Sequence, residues 1–190
     1  MTRLADQQIS RLYADAASIA PAPGGGSVTA LCGMLGISLV LKALRISLKR
    51  REDAADFREA DVALERLAGE MALDADADAE TFSAFIAAFR LPKTSPQETA
   101  SRAGAMQDAA VASTEAGLQA LGHAAQAITL AREIAPAISH QMAPDLEAGL
   151  ALLEAMRRNA VHNAEANLAS VKDDGLRGRL AARLGALMPR

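Results

Sequence analysis

The segment from Pro21 to Leu41, PAPGGGSVTALCGMLGISLVL, joins a turn-forming stretch directly to a long apolar one. Two prolines and three consecutive glycines fill its first part, although glycine loses more conformational freedom on folding than any other residue. Such a loop suits a place where another group must approach the backbone closely. Ser27 is the predicted N-cap of a helix that runs to about Lys49. Because this helix is apolar on nearly all sides, we expect it at the centre of the fold.

The rest of the chain also has the spacing of helices. Alanine and leucine dominate, aromatic residues make up only 3%, and no stretch alternates in the way of a strand. Ser95, Pro96 and Glu98 form a predicted capping box with proline at the first helical position. Residues 1–190 are therefore predicted to form one all-α domain, an antiparallel helical bundle. Besides Ser27–Lys49, the predicted helices cover about Leu4–Ser18, Glu52–Arg90 (allowing a break near residues 74–80), Ser95–Pro136, Asp145–Lys172 and a short segment set apart by Gly175.

Composition argues against several classes of function. The net charge is −3 and the basic residues are scattered, with Lys49–Arg51 and Arg157–Arg158 the densest, so nucleic-acid binding is not expected. The apolar run from Ser27 to Leu41 is shorter than the ~18 residues of a bilayer span. The N-terminus lacks the apolar core of a signal peptide, and one cysteine fits a reducing compartment. We therefore expect a cytoplasmic protein that binds neither membrane nor nucleic acid.

The glycine loop precedes a helix N-terminus, where unpaired N–H groups can hold an anion or a polar carbonyl. Neither the phosphate-binding Walker pattern nor the dinucleotide fingerprint is present. On spacing alone, a tight turn between two helices is an equal alternative.

An acidic residue lies in line with phenylalanines. Asp78 shares a predicted helical face with three of the four phenylalanines, so we expect its carboxylate to be shielded from solvent. The alternative is that Asp74 and Asp78 lie just past the edge of the core. The stripe comprises Met71, Asp74, Asp78, Phe82, Phe85 and Phe89.

Asn159, Asn163 and Asn167 form a second stripe at steps of four. Asparagine is a poor helix-interior residue, so this stripe predicts a polar seam for a heterocycle or a partner helix.

The three histidines show no metal-ligand spacing, and we expect no metal site. Cys32 is interpreted as a buried inert thiol rather than a nucleophile. Lys93 and Arg102 lie on either side of the predicted helix start that Ser95 caps. Glu98, near this start, is placed to pair with Arg102.

These segments resemble the cyclodeaminase/cyclohydrolase family. That family contains the formiminotetrahydrofolate cyclodeaminase domain and the serine-cycle type of methenyltetrahydrofolate cyclohydrolase. The resemblance implies an all-helical homodimer that acts on one-carbon tetrahydrofolates without a metal or redox cofactor. It rests on the opening segment, DAETF (Asp78–Phe82), RLPKTSPQE (Arg90–Glu98) with Arg102 after it, and NAEANL (Asn163–Leu168).

The resemblance also implies roles for residues. Asp78, and second to it Asp145, would move protons and balance positive charge, while Asn163 would hold the substrate. Backbone donors would come from Gly24, Gly25, Gly26 and Ser27. Lys93, Arg50 and Arg51 could meet the glutamate tail or assist as acids, and Arg102 and Asn167 complete the predicted binding set.

Two departures from the family pattern keep alternatives open. The family's glycine and lysines after the second helix are Lys49, Arg50 and Arg51 here, and of an N-x-N-x-x-S-D element only Asp145 remains in SHQMAPD. The expected reaction is hydrolysis of 5,10-methenyltetrahydrofolate to the 10-formyl form, or cyclisation and deamination of 5-formiminotetrahydrofolate. The lack of a formiminotransferase domain in this chain slightly favours the hydrolysis. The alternative is an inactive folate-binding member or a helical scaffold.

Overall fold

The computed structural model describes residues 3–49, 55 and 57–188, and within these residues it contains helices and no strand. The predicted all-helical class is confirmed. A short 3-10 helix, Leu4–Asp6, precedes the first α-helix, and two more, Ala135–Ala137 and His140–Met142, join the fourth to the fifth. The α-helices of the described residues are α1 (Ile9–Ala16), α2 (Gly25–Leu48), α3 (Arg58–Phe89), α4 (Pro96–Ile134), α5 (Ala143–Leu168) and α6 (Asp174–Leu187).

Helix α2 lies at the centre, as its hydropathy predicts. Ile37, Val40 and Leu44 are fully buried, and α2 packs against both α3 and α5. At 24 residues it is longer than the apolar run that marks it in the sequence, and by length and composition alone it could cross a membrane. More than half of its most apolar stretch is buried inside the bundle. Its hydropathy therefore matches that of a core helix.

Contacts between the helices show which of their parts lie together. Ser27 meets Asp78 near the start of α2, whereas Arg45 meets Asp61 near its end. Two further pairs, Gly117 with Ala164 and Arg132 with Glu154, relate α4 to α5 in the same way. The start of α2 and the later halves of α3 and α5 consequently meet at one end of the bundle.

The backbones of α2 and α5 touch where each helix has a glycine. A Cβ atom on Gly36 would lie 2.8 Å from the carbonyl oxygen of Gly149, and one on Gly149 would lie 2.6 Å from that of Gly36. Real Cβ atoms do not come this close to a backbone oxygen. We call this contact of Gly36 with Gly149 the glycine crossing.

The predicted capping box is present, but the predicted ion pair beside it is wrong. Ser95 Oγ accepts from the backbone N–H of Glu98, whose side chain accepts from the N–H of Ser95, with Pro96 at the first position. The Glu98 carboxylate is thus used in the cap. Arg102 instead donates to the carbonyl of Phe89 at 3.0 Å and lies over its ring.

The first predicted helix is interrupted. Gln7 and Gln8 have extended backbone angles and separate the 3-10 turn from α1. Ile9 is 80% exposed, whereas Leu12 packs against the core, so the apolar face predicted for this helix is only partly used.

Helix α3 continues without a break through residues 74–80. Aspartate disfavours helix interiors because its side chain competes for nearby backbone groups. Here that competition is removed, since Asp74, Asp76 and Asp78 bind His123, the N–H of Leu4 and Ser27 respectively. The start predicted at Glu52 lies outside the described residues.

The C-terminal boundaries also differ from prediction. Helix α5 begins at Ala143 and ends at Leu168, so it starts before Asp145 and stops short of Lys172. Gly175 lies inside α6 rather than before it, because Asp173 caps that helix by accepting from the N–H of Leu176.

Candidate active site

Asp78 caps helix α2 from the neighbouring helix. Gly24 is the N-cap residue, so Ser27 is the third helical position, and its N–H has no partner within α2. Asp78 Oδ2 accepts from this N–H at 2.7 Å and from Ser27 Oγ at 2.8 Å. The prediction of Ser27 as the N-cap is wrong, since its hydroxyl serves Asp78 instead. A carboxylate at a helix N-terminus is stabilised by the helix dipole, and this fixes Asp78 in place.

Gly26 is the glycine that this arrangement requires. A methyl group on Gly26 would overlap Asp78 Oδ1 and lie 2.7 Å from Asn163 Nδ2. By contrast, a methyl group on Gly25 would lie 3.4 Å from Asn159 Nδ2, and one on Gly24 would meet nothing within 4 Å. The close approach expected of the loop is therefore the approach of Asp78 to the backbone of Gly26.

Two of the three asparagines complete this end of the bundle. Asn163 Nδ2 donates to Asn159 Oδ1 at 3.2 Å, and Thr29 Oγ1 donates to the same oxygen at 3.1 Å. Asn167, one turn further along α5, is not among the residues that line the pocket described next.

These side chains line a pocket between α2, α3, α4 and α5. Its polar residues are Thr29, Asp74, Asp78, Asn159 and Asn163, and α4 supplies small residues such as Gly117. The cavity volume is about 20 Å³, enough for one water-sized group. Among the described residues, two carboxylates line the pocket and no lysine or arginine does, so the pocket suits a cationic group that also forms hydrogen bonds.

His123, on α4, is a further residue of this site that the sequence did not reveal. Its Nδ1 lies 2.8 Å from Asp74 Oδ2, and its Nε2 lies 2.7 Å from Glu70 Oε2. The hydrogen bond to Asp74 is the main cause that raises the pKa of His123, and Glu70 adds to it, while burial and Arg66 act in the opposite direction. A histidine in an alanine-rich helix was the one signal available. Its partners lie about fifty positions away in the chain.

Two predicted catalytic residues do not join this pocket. Asp145 lies at the start of α5, where it pairs with Lys42 at 2.7 Å. Because Lys42 follows Ser27 by fifteen residues of α2, this pair lies about 22 Å along the helix from Asp78. Lys93 is exposed in the loop after α3, and the eleven residues from Asp78 to Phe89 span about 16 Å. Neither of them therefore lies beside Asp78 in this structure.

The remaining predicted binding residues are spread out. Arg102 is held by Phe89 at the far end of α3, outside the pocket. Arg50 and Arg51 lie outside the described residues. Within residues 3–49, 55 and 57–188, no group of three histidine, cysteine, aspartate or glutamate side chains is arranged to hold a metal ion.

The chain is similar in sequence to one protein family and to proteins whose names agree with that family. The sequence pattern of the formiminotransferase-cyclodeaminase family matches residues 8–186. The chain is 32% identical to the methenyltetrahydrofolate cyclohydrolase of Methylorubrum extorquens, over 83% of this chain and 77% of that protein. It is 26% identical to the formimidoyltransferase-cyclodeaminase of Rattus norvegicus, over 97% of this chain but only 35% of that protein.

A solved structure has the same fold. The crystal structure of formiminotetrahydrofolate cyclodeaminase from Thermotoga maritima superposes with a TM-score of 0.84 over 96% of this chain and 88% of that one, at 17% sequence identity. Together with the match over residues 8–186, this fold agrees with the resemblance carried by the glycine segment. The chain belongs to the formiminotransferase-cyclodeaminase family.

Proposed function

We propose that this chain is a one-carbon tetrahydrofolate enzyme that hydrolyses 5,10-methenyltetrahydrofolate to 10-formyltetrahydrofolate. The observation that carries the proposal is the Asp78 carboxylate, which lies against the backbone of Gly26. The pocket there is lined by asparagines and, within the described part of the chain, by no lysine or arginine. The substrate is cationic at the carbon between N5 and N10, so an acidic pocket favours it. The greater identity to the cyclohydrolase than to the rat protein favours hydrolysis as the reaction.

Asp78 has the geometry of a group that moves protons. Its Oδ2 is fixed by two donors from Ser27, and Oδ1 faces Gly26 with no hydrogen bond described. We assign to this carboxylate the proton of the attacking water. As the C–O bond forms, the carbon becomes tetrahedral and carries a hydroxyl group. When the C–N5 bond then breaks, Asp78 returns its proton to N5, the hydroxyl group loses its own proton to solvent as the C=O bond forms, and the formyl group stays on N10. General acid–base catalysis of this kind contributes about 10²–10⁴-fold to a rate.

The asparagines orient the substrate in this proposal. Asn163 and Asn159 have donor and acceptor groups that match the edge of a heterocycle. Because the cavity admits only a small group, we place the reacting carbon and its water there and the rest of the folate at its mouth.

A second candidate is cyclisation of 5-formiminotetrahydrofolate. In that reaction N10 attacks the formimino carbon, the C–N bond to the imino nitrogen breaks, and ammonia leaves with the proton that an acid supplies. Asp78 could supply that proton. The fold shared with the Thermotoga maritima cyclodeaminase favours this candidate.

One experiment tests the function and the role of Asp78 together. The purified chain is assayed with methenyl- and formiminotetrahydrofolate by the absorbance of the methenyl form, with the buffer rate subtracted. We expect wild-type turnover of one of the two, and a loss of about 10²–10⁴-fold in Asp78→Asn. Asp61→Asn is the matched control, because Asp61 lies on the same helix but pairs with Arg45 outside the pocket. Equal rates for wild type and Asp78→Asn would remove Asp78 from the mechanism.

We propose further that two copies of this antiparallel bundle form a homodimer. Exposed apolar side chains on the adjacent helices α2 and α3 support this, at Leu35, Ile46, Val62 and Leu73. Within each helix the two lie eleven residues apart, about three turns, and so on one face. Sedimentation should give a dimer for wild type and a monomer for Val62→Glu, and a wild-type monomer would contradict the proposal.

Two expectations from the sequence remain part of the proposed function. The reaction requires no metal or redox cofactor, since water or N10 is the nucleophile and no electrons are exchanged. We also propose a cytoplasmic location, which the single cysteine of the chain, Cys32, supports.

A further inference from the structure

His123 is held between two carboxylates at the edge of the pocket. Its Nδ1 faces Asp74 Oδ2 at 2.8 Å and its Nε2 faces Glu70 Oε2 at 2.7 Å. The Asp74 side chain is 3% exposed and lines the pocket, whereas the Glu70 side chain is 31% exposed on the outer side of the histidine. Exposure to solvent thus falls from Glu70 through His123 to Asp74, which lines the pocket.

This geometry specifies the charge of the histidine. An ionised carboxylate only accepts hydrogen bonds, and both ring nitrogens donate only in the imidazolium form. Nδ1 donates to Asp74, and Nε2 lies 2.7 Å from an oxygen of Glu70, a carboxylate that attracts Nε2 only when that nitrogen is protonated. The two carboxylates therefore favour a protonated ring. A buried carboxylate without such a partner would be costly, so the cation also accounts for the burial of Asp74.

We propose that His123 is a positioning residue that, as an imidazolium held by Glu70, fixes the Asp74 carboxylate in the pocket as the counter-charge for the substrate's cationic carbon. This inference rests on the function proposed above. It separates the tasks of the two pocket carboxylates. Asp74 is tied to a cation and balances charge, while Asp78 is held only by the neutral donors of Ser27 and moves protons.

In the described part of the chain, the charged groups that act on His123 belong to α3. They are Asp74, Glu70 and Arg66, and Arg66 pairs with Glu70 at 2.5 Å. The pocket residues that α2 and α5 contribute beside Asp74 are uncharged, among them Thr29, Met156 and Asn159. Removing the charge of Glu70 therefore removes one of the two groups that favour the imidazolium, at a site that does not touch the pocket.

The first test follows the His123 ring directly. NMR titration of the ring protons in wild type should show a pKa above the ordinary 6.5, because Asp74 accepts a hydrogen bond from the ring and the charge of Glu70 also favours its protonated form. In Glu70→Gln that pKa should fall. Glu65→Gln is the control, since Glu65 is exposed and pairs with Arg45. A His123 pKa that stays the same in Glu70→Gln would overturn the proposal.

The second test measures kcat/KM against pH with the folate that wild type turns over. As pH rises through the pKa of His123, Asp74 loses its cationic partner, so we expect activity to fall on the alkaline side. In Glu70→Gln this alkaline fall should move to lower pH, with a smaller change on the acidic side, while Glu65→Gln keeps the wild-type profile. A merely structural role for Glu70 would lower activity equally at every pH.

A failure of the role proposed for His123 can be distinguished from a failure of the proposed function. An active wild type whose alkaline fall does not move in Glu70→Gln would contradict the role of His123 and leave the proposed function intact. A wild type that turns over neither folate would contradict the proposed function itself, and with it the counter-charge role of Asp74.

Discussion

Among the glycines of helix α2 that lie against neighbouring helices, Gly36 and Gly26 have different neighbours. At the glycine crossing, Gly36 faces the backbone of Gly149. Ten residues earlier, Gly26 faces the side chains of Asp78 and Asn163. One glycine leaves room for a helix, and the other leaves room for a carboxylate and an amide.

This difference separates stability from function within one helix. The glycine crossing is apolar, with Val40 and Leu153 around it, and nothing titratable contacts either glycine among the neighbours described. The start of α2 has Ser27, Asp78 and Asn163, whose hydrogen bonds hold a carboxylate at a pocket. We expect substitutions at the crossing to change unfolding, and substitutions at the start of α2 to change turnover.

The largest effect on stability is expected for Gly149→Val. The added methyl groups would meet the Gly36 carbonyl oxygen and Val40, and a backbone atom cannot rotate away as a side chain can. We expect a loss of about 3 kcal/mol in the free energy of unfolding, at the upper end of the usual overpacking cost. The melting temperature should fall by about 6–12 °C in a chain of this length, with kcat/KM of the folded protein preserved. A normal melting temperature would contradict the crossing.

A smaller effect is expected for Ser27→Ala, and it should appear in turnover. The variant removes the hydroxyl donor to Asp78 Oδ2 and keeps the backbone N–H donor. A hydrogen bond to a charged group contributes about 1.5–3 kcal/mol, and the remaining donor limits the loss to its lower end, about tenfold in kcat/KM. Thermal unfolding is the accompanying measurement. A drop in stability with unchanged turnover would place Ser27 with the glycine crossing instead.

The sequence predicted the helices better than the contacts between them. Helical spacing, the capping box at Ser95 and the apolar centre of α2 are local features, so a single sequence reveals them. The glycine segment and Asp78 were singled out because each is unusual within its own stretch.

Pairings between distant residues could not be read in this way. Ser27 is a good N-cap by type, and only the fold shows that Asp78 takes its hydroxyl. Asp145 matched a family motif, but its position beside Lys42 depends on where α5 packs along α2. His123 carried no motif at all, since its partners come from another helix.

The pH dependence of the free energy of unfolding tests whether His123 is protonated, independently of turnover. Because its folded pKa is raised by Asp74 and then Glu70, its contribution to stability is complete below the unfolded pKa near 6.5 and is lost as pH rises through the folded pKa. The difference in unfolding free energy between wild type and His123→Gln should therefore shrink as pH rises. Urea unfolding at several pH values measures it. A difference that grows with pH would contradict a protonated His123.

The smallest effect is expected for Gly104→Ala, which tests the rule that a glycine matters only where something contacts it. Gly104 lies within α4, and a methyl group there would meet nothing within 4 Å. Replacing glycine by alanine in an exposed helix interior gains up to about 1 kcal/mol. We expect a slightly higher melting temperature and unchanged turnover. Destabilisation would mean that α4 is covered at this position.

The most direct test of the account compares Gly26→Ala with Gly104→Ala in the methenyltetrahydrofolate assay. The same methyl group is added to two helices, once against Asp78 and once in open space. We expect Gly26→Ala to remain helical by circular dichroism and to lose at least about 100-fold in kcat/KM, the low end of a lost acid–base group, with Gly104→Ala at the wild-type rate. A folded Gly26→Ala that keeps the wild-type rate would contradict the placement of the reacting carbon beside Asp78.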